Sequence, residues 1–137
     1  MAALGPSKEE YGALLKAWQD RRHIARRSEQ AAARRARKVG RLCAHHLAER
    51  YRVRRVYLFG SAASGERFHS TSDIDLAVEG LPFDLYFSAL TDLWALLPPG
   101  LDLDLVPMEC ATADLVAHIQ KEGLLLHAES NLRDSAS

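Results

Sequence analysis

The sequence predicts an α/β domain: a small mixed β-sheet flanked by helices and preceded by a long basic helical segment. Three observations carry this. Apolar residues recur at helical spacing between 8 and 51, between 83 and 97 and again between 112 and 119. Short runs rich in Val, Ile, Leu and aromatic residues lie between those segments, at 55–59, 73–78 and 101–106. Gly60, Gly80, Pro98-Pro99-Gly100, Pro107 and Gly123 punctuate the joins.

With 137 residues the chain fits one domain with a modest core. Its 47% apolar and 26% charged content excludes fibrous and disordered classes. Cys43 and Cys110 form no CxxC, which argues against a zinc site or a disulfide framework and fits a reducing cytoplasm. No leader-like start and no apolar run near the roughly 18 residues of a membrane span is expected here. The net charge of zero conceals two opposed halves. Residues 1–55 hold fifteen Lys/Arg against five Asp/Glu, and residues 56–137 hold three against thirteen. An acidic half suits divalent cations; a basic half suits phosphate, nucleic acid or an acidic partner.

In chain order, Ser7-Lys8-Glu9-Glu10 is a capping box. The helix it opens carries Tyr11, Leu14, Leu15 and Trp18 as one apolar stripe. Arginine and alanine then dominate through Lys38, both good helix formers. The stripe returns at Val39, Leu42, Cys43, His46, Leu47 and Tyr51, so the second half should pack on the core. A single helix from 8 to 50 would be about 65 Å long, so either it breaks between 20 and 32 or its first half projects. The arginines fall on all faces without interleaved aromatics, unlike a nucleic-acid stacking platform. A solvated face or a partner surface is favoured over nucleic-acid binding.

Arg55 to Phe59 is apolar on both parities, as a central strand requires. Gly60 ends it, and a loop of mostly small and polar residues runs from Ser61 to Ser72. A strand from Asp73 to Val78 follows. Pro82 opens a helix whose stripe is Phe83, Tyr86, Phe87, Leu90, Leu93, Trp94 and Leu97. Leu101 to Val106 is a third strand. Thr112 caps a last helix with Leu115, Val116 and Ile119 inward, and Leu124 to Leu126 form a short final strand. The tail from Glu129 is expected to fray.

The chemistry concentrates on two strands. Residues i and i+2 share one face of a strand, so Asp73 and Asp75 point one way, and Asp102 and Asp104 share a face of theirs. Paired carboxylates on apolar strands repel unless something positive sits between them, and hard divalent cations are the usual answer. Carboxylates from neighbouring strands can hold two Mg²⁺ for phosphoryl or nucleotidyl transfer. Gly60 and Ser61 complete the device: glycine lets backbone approach a phosphate, and the turn's N–H groups with the Ser61 hydroxyl can bind it. Parity alone does not choose between Asp102 and Asp104.

Other candidates carry less. His45 and His46 are adjacent, about 100° apart on a helix, and cannot form an i, i+4 metal pair; His46 reads as a packing residue. His69 reads as a solvated loop histidine, His118 and His127 give no constellation, and Cys110 reads as a small buried residue. Trp18 and Trp94 read as core or interface.

Gly60-Ser61, Gly65-Glu66 and Ser72-Asp73-Ile74-Asp75-Leu76 together resemble the signature of the DNA polymerase beta nucleotidyltransferase superfamily, most closely its minimal nucleotidyltransferase (MNT) branch. Asp104-Leu105-Val106 resembles that branch's third-carboxylate strand, and 119–126 its closing helix and strand. The resemblance spans residues 40–127 and divides the chain into a basic helical extension, 1–39, and a nucleotidyltransferase domain, 40–137. It implies that Asp73, Asp75 and Asp104 hold two Mg²⁺, that Asp104 helps activate the attacking hydroxyl, and that Gly60 and Ser61 bind the phosphates of ATP. Relatives commonly carry an arginine where this chain has Ser64; Arg67 is the nearest substitute. The resemblance further implies a HEPN toxin as partner and as acceptor of AMP, with this chain the antitoxin of the pair. A binding-only antitoxin, an aminoglycoside-type transferase and nucleic-acid end modification are the alternative readings. Self-association through the N-terminal helix is a further expectation.

Overall fold

The computed structural model describes residue 5 and residues 7–64 and 73–130. Their elements run α1 (Lys8–Tyr51), β1 (Arg55–Phe59), α2 (Ser61–Ser64), β2 (Ile74–Glu79), α3 (Tyr86–Leu96), β3 (Leu103–Pro107), α4 (Ala113–Glu122) and β4 (Leu124–Ala128). Arg67, His69 and the rest of 65–72 lie outside the described residues, as does 131–137.

Of the two possibilities for the long N-terminal segment, the unbroken helix is the one found. α1 is 44 residues, about 66 Å at 1.5 Å per residue. Ser7 starts it by accepting the Glu10 N–H at 3.2 Å. Residues 8–28 are all exposed, so this part stays helical on alanine and long-chain propensity and not on packing. Tyr11, Leu14, Leu15 and Trp18, expected as an apolar stripe, are 48–61% exposed. The Arg22 guanidinium sits 4.9 Å from the Trp18 ring, a cation–π contact.

The packing half of α1 buries Cys43 and Leu47 of the expected stripe, with Val39 and Tyr51 against the core, on a face otherwise built of small residues. Ala33, Ala36, Gly40, Cys43, Ala44 and Leu47 are buried, while Leu42 is 55% exposed. Small residues three and four apart let the helix approach the sheet closely. At Gly40 an added Cβ would lie 3.3 Å from Leu126 Cδ1. Burial raises the Cys43 thiol to about 11, which keeps it inert. The helix is continuous across residues 39 and 40 and ends at Arg52, whose N–H donates to Ala48 O from a left-handed conformation.

α1 is tied to α3 by a polar cluster. Asp92 accepts from His46 Nε2 at 2.9 Å and from Tyr51 Oη at 2.8 Å, with Arg50 Nε at 3.3 Å. These partners, His46 first, hold the Asp92 carboxyl below its ordinary range. His46 is thus an inter-helix contact, in keeping with its packing role.

The sheet order is β3-β2-β1-β4. β1 is central and antiparallel to both β2 and β4; β2 and β3 are parallel. One face carries Val56, Leu58, Ile74, Leu76, Val78, Leu103 and Leu105 against α1 and α3. The opposite face carries Ala77, with Tyr57 and Phe59, against Ile119, Leu115 and Val116 of α4. Leu58, Leu76, Ile74 and Ile119 are fully buried, each contributing about 1.5–3 kcal/mol of apolar burial.

Several expectations shift. The loop after Gly60 begins as the helical turn α2. β2 starts at Ile74 and β3 at Leu103, each after the expected residue. Pro82 precedes a 3-10 turn, Phe83–Leu85, and α3 follows it. Of the expected stripe Leu93 is buried, beside Ala89, while Phe83, in the 3-10 turn, and Phe87 are 82% and 77% exposed. Trp94 is half-exposed. Cys110, expected to be buried, is exposed: it ends the 3-10 turn after β3, in which Met108 takes the buried position. No helix among the described residues is long and apolar enough to cross a membrane.

Candidate active site

The strand register assembles the carboxylates. Asp75 pairs with Asp104 across the parallel β2–β3 ladder, so the two share the α4 face side by side. Asp73 lies two residues before Asp75, at the mouth of β2, and Ile74 N–H donates to Asp102 O there at 2.8 Å. Asp102 therefore sits beyond the strand end, and the residue beside Asp75 is Asp104. Asp73 and Asp104 are exposed and Asp75 is half-buried.

Among the described residues no Lys, Arg or His forms an ion pair with these three carboxylates. The cost appears at Asp75. Burial first, then the charges of Asp104 and Asp73, raise its carboxyl from 3.8 to about 6.

Gly60 abuts the cluster. It adopts φ +74, and a Cβ there would lie 2.6 Å from Asp75 Oδ2. Only a residue without a side chain lets β1 turn into α2 with the carboxylate in place. Ser61 follows at the first position of α2, a turn whose early N–H groups have no intrahelical partners. Ala63 and Ser64 N–H both reach back to Gly60 O, at 3.2 and 3.3 Å.

Arg37 fixes the other end of this turn. Its Nε donates to Ala62 O at 3.0 Å and its Nη2 to Ala63 O at 3.4 Å. The guanidinium thus joins α1 to α2 with two bonds from one planar fork. The sequence places Arg37 among many arginines in a basic run, and nothing local distinguishes it. Its position on the same helix face as the buried Ala33 and Gly40, four and three residues away, is the one available signal. Arg37→Ala is expected to lower stability by about 1–3 kcal/mol, and Arg37→Lys to recover only part of it, since an ammonium cannot reproduce the fork. Thermal melting of both variants checks this; equal stability of the lysine variant and the parent would show that charge alone suffices.

Two cavities lie at this end of the sheet, and Asp75 and Asp104 line the first of them. One, about 420 Å³, lies at the β3 edge and is lined by Asp75, Asp104, Tyr86, Trp94 and Leu115 among others. Tyr86 Oη donates to Leu105 O at 2.6 Å and Trp94 Nε1 to Leu103 O at 3.2 Å, so side chains of α3 occupy the edge carbonyls of β3. Burial and the Asp104 charge raise the Tyr86 phenol. The other cavity, about 470 Å³, lies at the end of β1 between Phe59, Gly60, Ser64, His118 and Glu122. His118 formed no constellation in the sequence; α4 brings it to the same opening as Gly60.

A mixed sheet with three carboxylates at the mouths of two parallel strands, beside a glycine turn, defines a nucleotidyltransferase-like domain. The chain belongs to the Polymerase beta, Nucleotidyltransferase family, which it matches over residues 43–131. It is similar to a chain of a toxin–antitoxin complex crystallised with AMP-PNP: 26% identity over 70% of this chain and 77% of that one, TM-score 0.54. A looser likeness, 22% identical with TM-score 0.44 over 79% and 78%, is to the complex of a tri-AMPylated Shewanella oneidensis HEPN toxin with its MNT antitoxin. No curated protein matches the sequence.

Proposed function

We propose that this chain transfers a nucleoside monophosphate, AMP from ATP, to a hydroxyl of a HEPN-type partner protein, as the antitoxin of a toxin–antitoxin pair. The observation that carries the chemistry is the Asp75–Asp104 register with Asp73 two residues away and Gly60 against Asp75. Support for the nucleotide and the setting comes from family membership and from the likeness to the toxin–antitoxin complex crystallised with AMP-PNP, an ATP analogue.

The residues fit divalent cations. Three hard carboxylate donors lack a basic partner among the described residues, and Asp75 is raised by burial and by its two neighbours. No three His, Cys, Asp or Glu among the described residues already surround one point. Mg²⁺ is commonly held by one or two carboxylates, with substrate phosphates and water completing its shell. Asp73, Asp75 and Asp104 would hold two such ions, which when bound offset the carboxylate charge and polarise the α-phosphoryl group.

The protein's part is positioning. Gly60 and Ser61 contact the triphosphate. Asp104, exposed at the β3 edge, orients the acceptor hydroxyl and takes its proton. The acceptor oxygen bonds to the α-phosphorus while the bond from that phosphorus to the bridging oxygen breaks, and pyrophosphate leaves with the electron pair. In-line geometry and a field arranged in advance supply the rate.

The test is direct. With ATP and Mg²⁺, a HEPN-type partner, to be sought in the neighbouring reading frame, should gain adenylyl groups detectable by intact mass. A partner left unmodified, with Asp73 and Asp75 intact, sinks the enzymatic reading. One observation favours a second reading, an antitoxin that acts by binding alone: the first half of α1 exposes Tyr11, Leu14, Leu15, Trp18 and Ile24 to solvent. Neutralisation surviving in the Asp73→Asn, Asp75→Asn double variant would favour it.

A further inference from the structure

We infer that the projecting half of α1 is a docking arm for the protein acceptor, and that it takes an apolar surface rimmed by Asp or Glu on a folded partner about as wide as a small domain. That the partner is an acceptor rests on the proposed function above; the arm adds how the site holds it. α1 runs alongside β1. Its end at Tyr51 leads into β1 at Arg55, and Arg37 bonds α2 at the other end of that strand. Toward its N-terminus the helix therefore leaves the domain past the sheet end at which Gly60 meets Asp75. At 1.5 Å per residue, Trp18 stands about 28 Å beyond Arg37 and Tyr11 about 39 Å.

The direction of the arm's apolar stripe follows from helix periodicity. Leu15 and Trp18 precede Ala33 and Ala36 by about five turns of 3.6 residues, and Tyr11 lies one turn before Leu15. Ala33 and Ala36 belong to the core face that α1 turns to the domain. The face covered from Ala33 onward is thus continued by Tyr11, Leu15 and Trp18, with Leu14 at its border, where no described residue covers it. A body seated there lies on the sheet side of α1, against the mouth of the carboxylates. To touch both Trp18 and that mouth it must span about 30 Å, which a folded domain does and a nucleotide-sized acceptor does not. Charge selects its surface. Residues 8–28 hold six Lys/Arg against three Asp/Glu. Arg21 and Arg22 follow Trp18 by three and four residues, on its side of the helix, and Arg22 sits over its ring. A cationic rim around Tyr and Trp anchors matches an apolar patch bordered by carboxylates. A second copy of this helix would instead bring the same excess of positive charge. The family match begins at residue 43, so the arm lies outside the shared domain and gives this chain a contact surface of its own.

The experiment compares the full chain with the triple variant Tyr11→Ala, Leu15→Ala, Trp18→Ala, using the HEPN-type partner as probe. All three positions are exposed and alanine favours helix, so the fold should be kept. In calorimetry the triple variant should bind the partner at least about 100-fold more weakly, the scale of losing aromatic anchors from an interface. In the transfer assay KM for the partner should rise on that scale, while kcat at saturating partner and KM for ATP stay within about twofold. Arg21→Glu with Arg22→Glu should weaken binding about tenfold at low salt and flatten its salt dependence. Unchanged partner affinity in the triple variant, a fall in kcat with KM for the partner unchanged, or tighter binding after charge reversal would each overturn the arm, as would a parent chain that does not bind the partner. Self-association, or binding to RNA or anionic vesicles, that the triple variant loses while partner affinity is unchanged would assign the stripe to those occupants instead. A partner held by the arm and never adenylylated overturns the enzymatic reading and leaves the arm standing. One adenylylated equally well by parent and triple variant does the reverse.

Discussion

Asp75→Asn is expected to abolish nucleotidyl transfer and, in the metal-free protein, to raise stability. The two effects share one cause. Asp75 is a half-buried carboxylate paired across the ladder with Asp104 and two residues from Asp73. Its carboxyl is raised from 3.8 to about 6, by burial first and then by those two charges. A raised carboxyl favours the protonated folded state, so ionised Asp75 opposes folding. The penalty is absent below the unfolded value of 3.8, grows as pH rises toward about 6, and is complete above that. A shift of this size corresponds in full to about 3 kcal/mol. Asp75 is partly open to water, and screening reduces the expected gain to about 1–2 kcal/mol. Asparagine has the same shape and no charge, so the variant should melt higher than the parent at neutral pH and show a flatter pH dependence between 4 and 6. The transfer rate should fall by at least about 10²–10³-fold, the scale of removing one preorganised charge-stabilising group. Melting curves across pH, paired with transfer assays, check both halves. A variant that melts lower at neutral pH would mean that protein donors already compensate Asp75, and the case for cations there would fail.

Gly60→Ala carries the second large effect. At φ +74 an L-residue is strained, costing about 1–2 kcal/mol. The new Cβ would also lie 2.6 Å from Asp75 Oδ2 and 3.6 Å from its Cγ. Either the turn or the carboxylate must move. A displacement near 1 Å at a reacting centre costs about 10² in rate, so transfer should drop on that scale even though no reacting group is removed. A double-mutant cycle separates the two contributions. In an Asp75→Ala background the backbone strain remains and the clash is gone, so Gly60→Ala should destabilise less there than in the parent. An equal cost in both backgrounds would show that backbone conformation alone explains the glycine.

The two predictions mark where the sequence was informative. Period-two alternation is local, so Asp73 with Asp75, and Asp102 with Asp104, could be placed on shared faces from residue order. β1 could be recognised as central because Val56 to Phe59 are apolar on both parities. Helix spacing was a poorer guide. It grouped Tyr11, Leu14, Leu15 and Trp18, and also Leu42, Phe83 and Phe87, on apolar stripes, and the structure exposes all of them. The face of α1 that packs joins Cys43 and Leu47 of the expected stripe to Ala33, Ala36, Gly40 and Ala44. Small residues carry little hydrophobic signal, yet they permit the closest approach to a sheet.

By itself, then, the sequence determined the strands, the glycine turn, the carboxylate parity and the opposition between a basic and an acidic half. All depend on neighbours within a few residues. Tertiary structure decided which of Asp102 and Asp104 stands beside Asp75, a choice strand parity left open, because the register between β2 and β3 is set by the core on the opposite face, where Ile74 pairs with Leu103 and Leu76 with Leu105. It also singled out Arg37 from a run of arginines by bringing Ala62 O within 3.0 Å, and set His118 at the same opening as Gly60. Those placements join residues that are distant along the chain, and local periodicity holds no information about which distant partners a folded core will bring together.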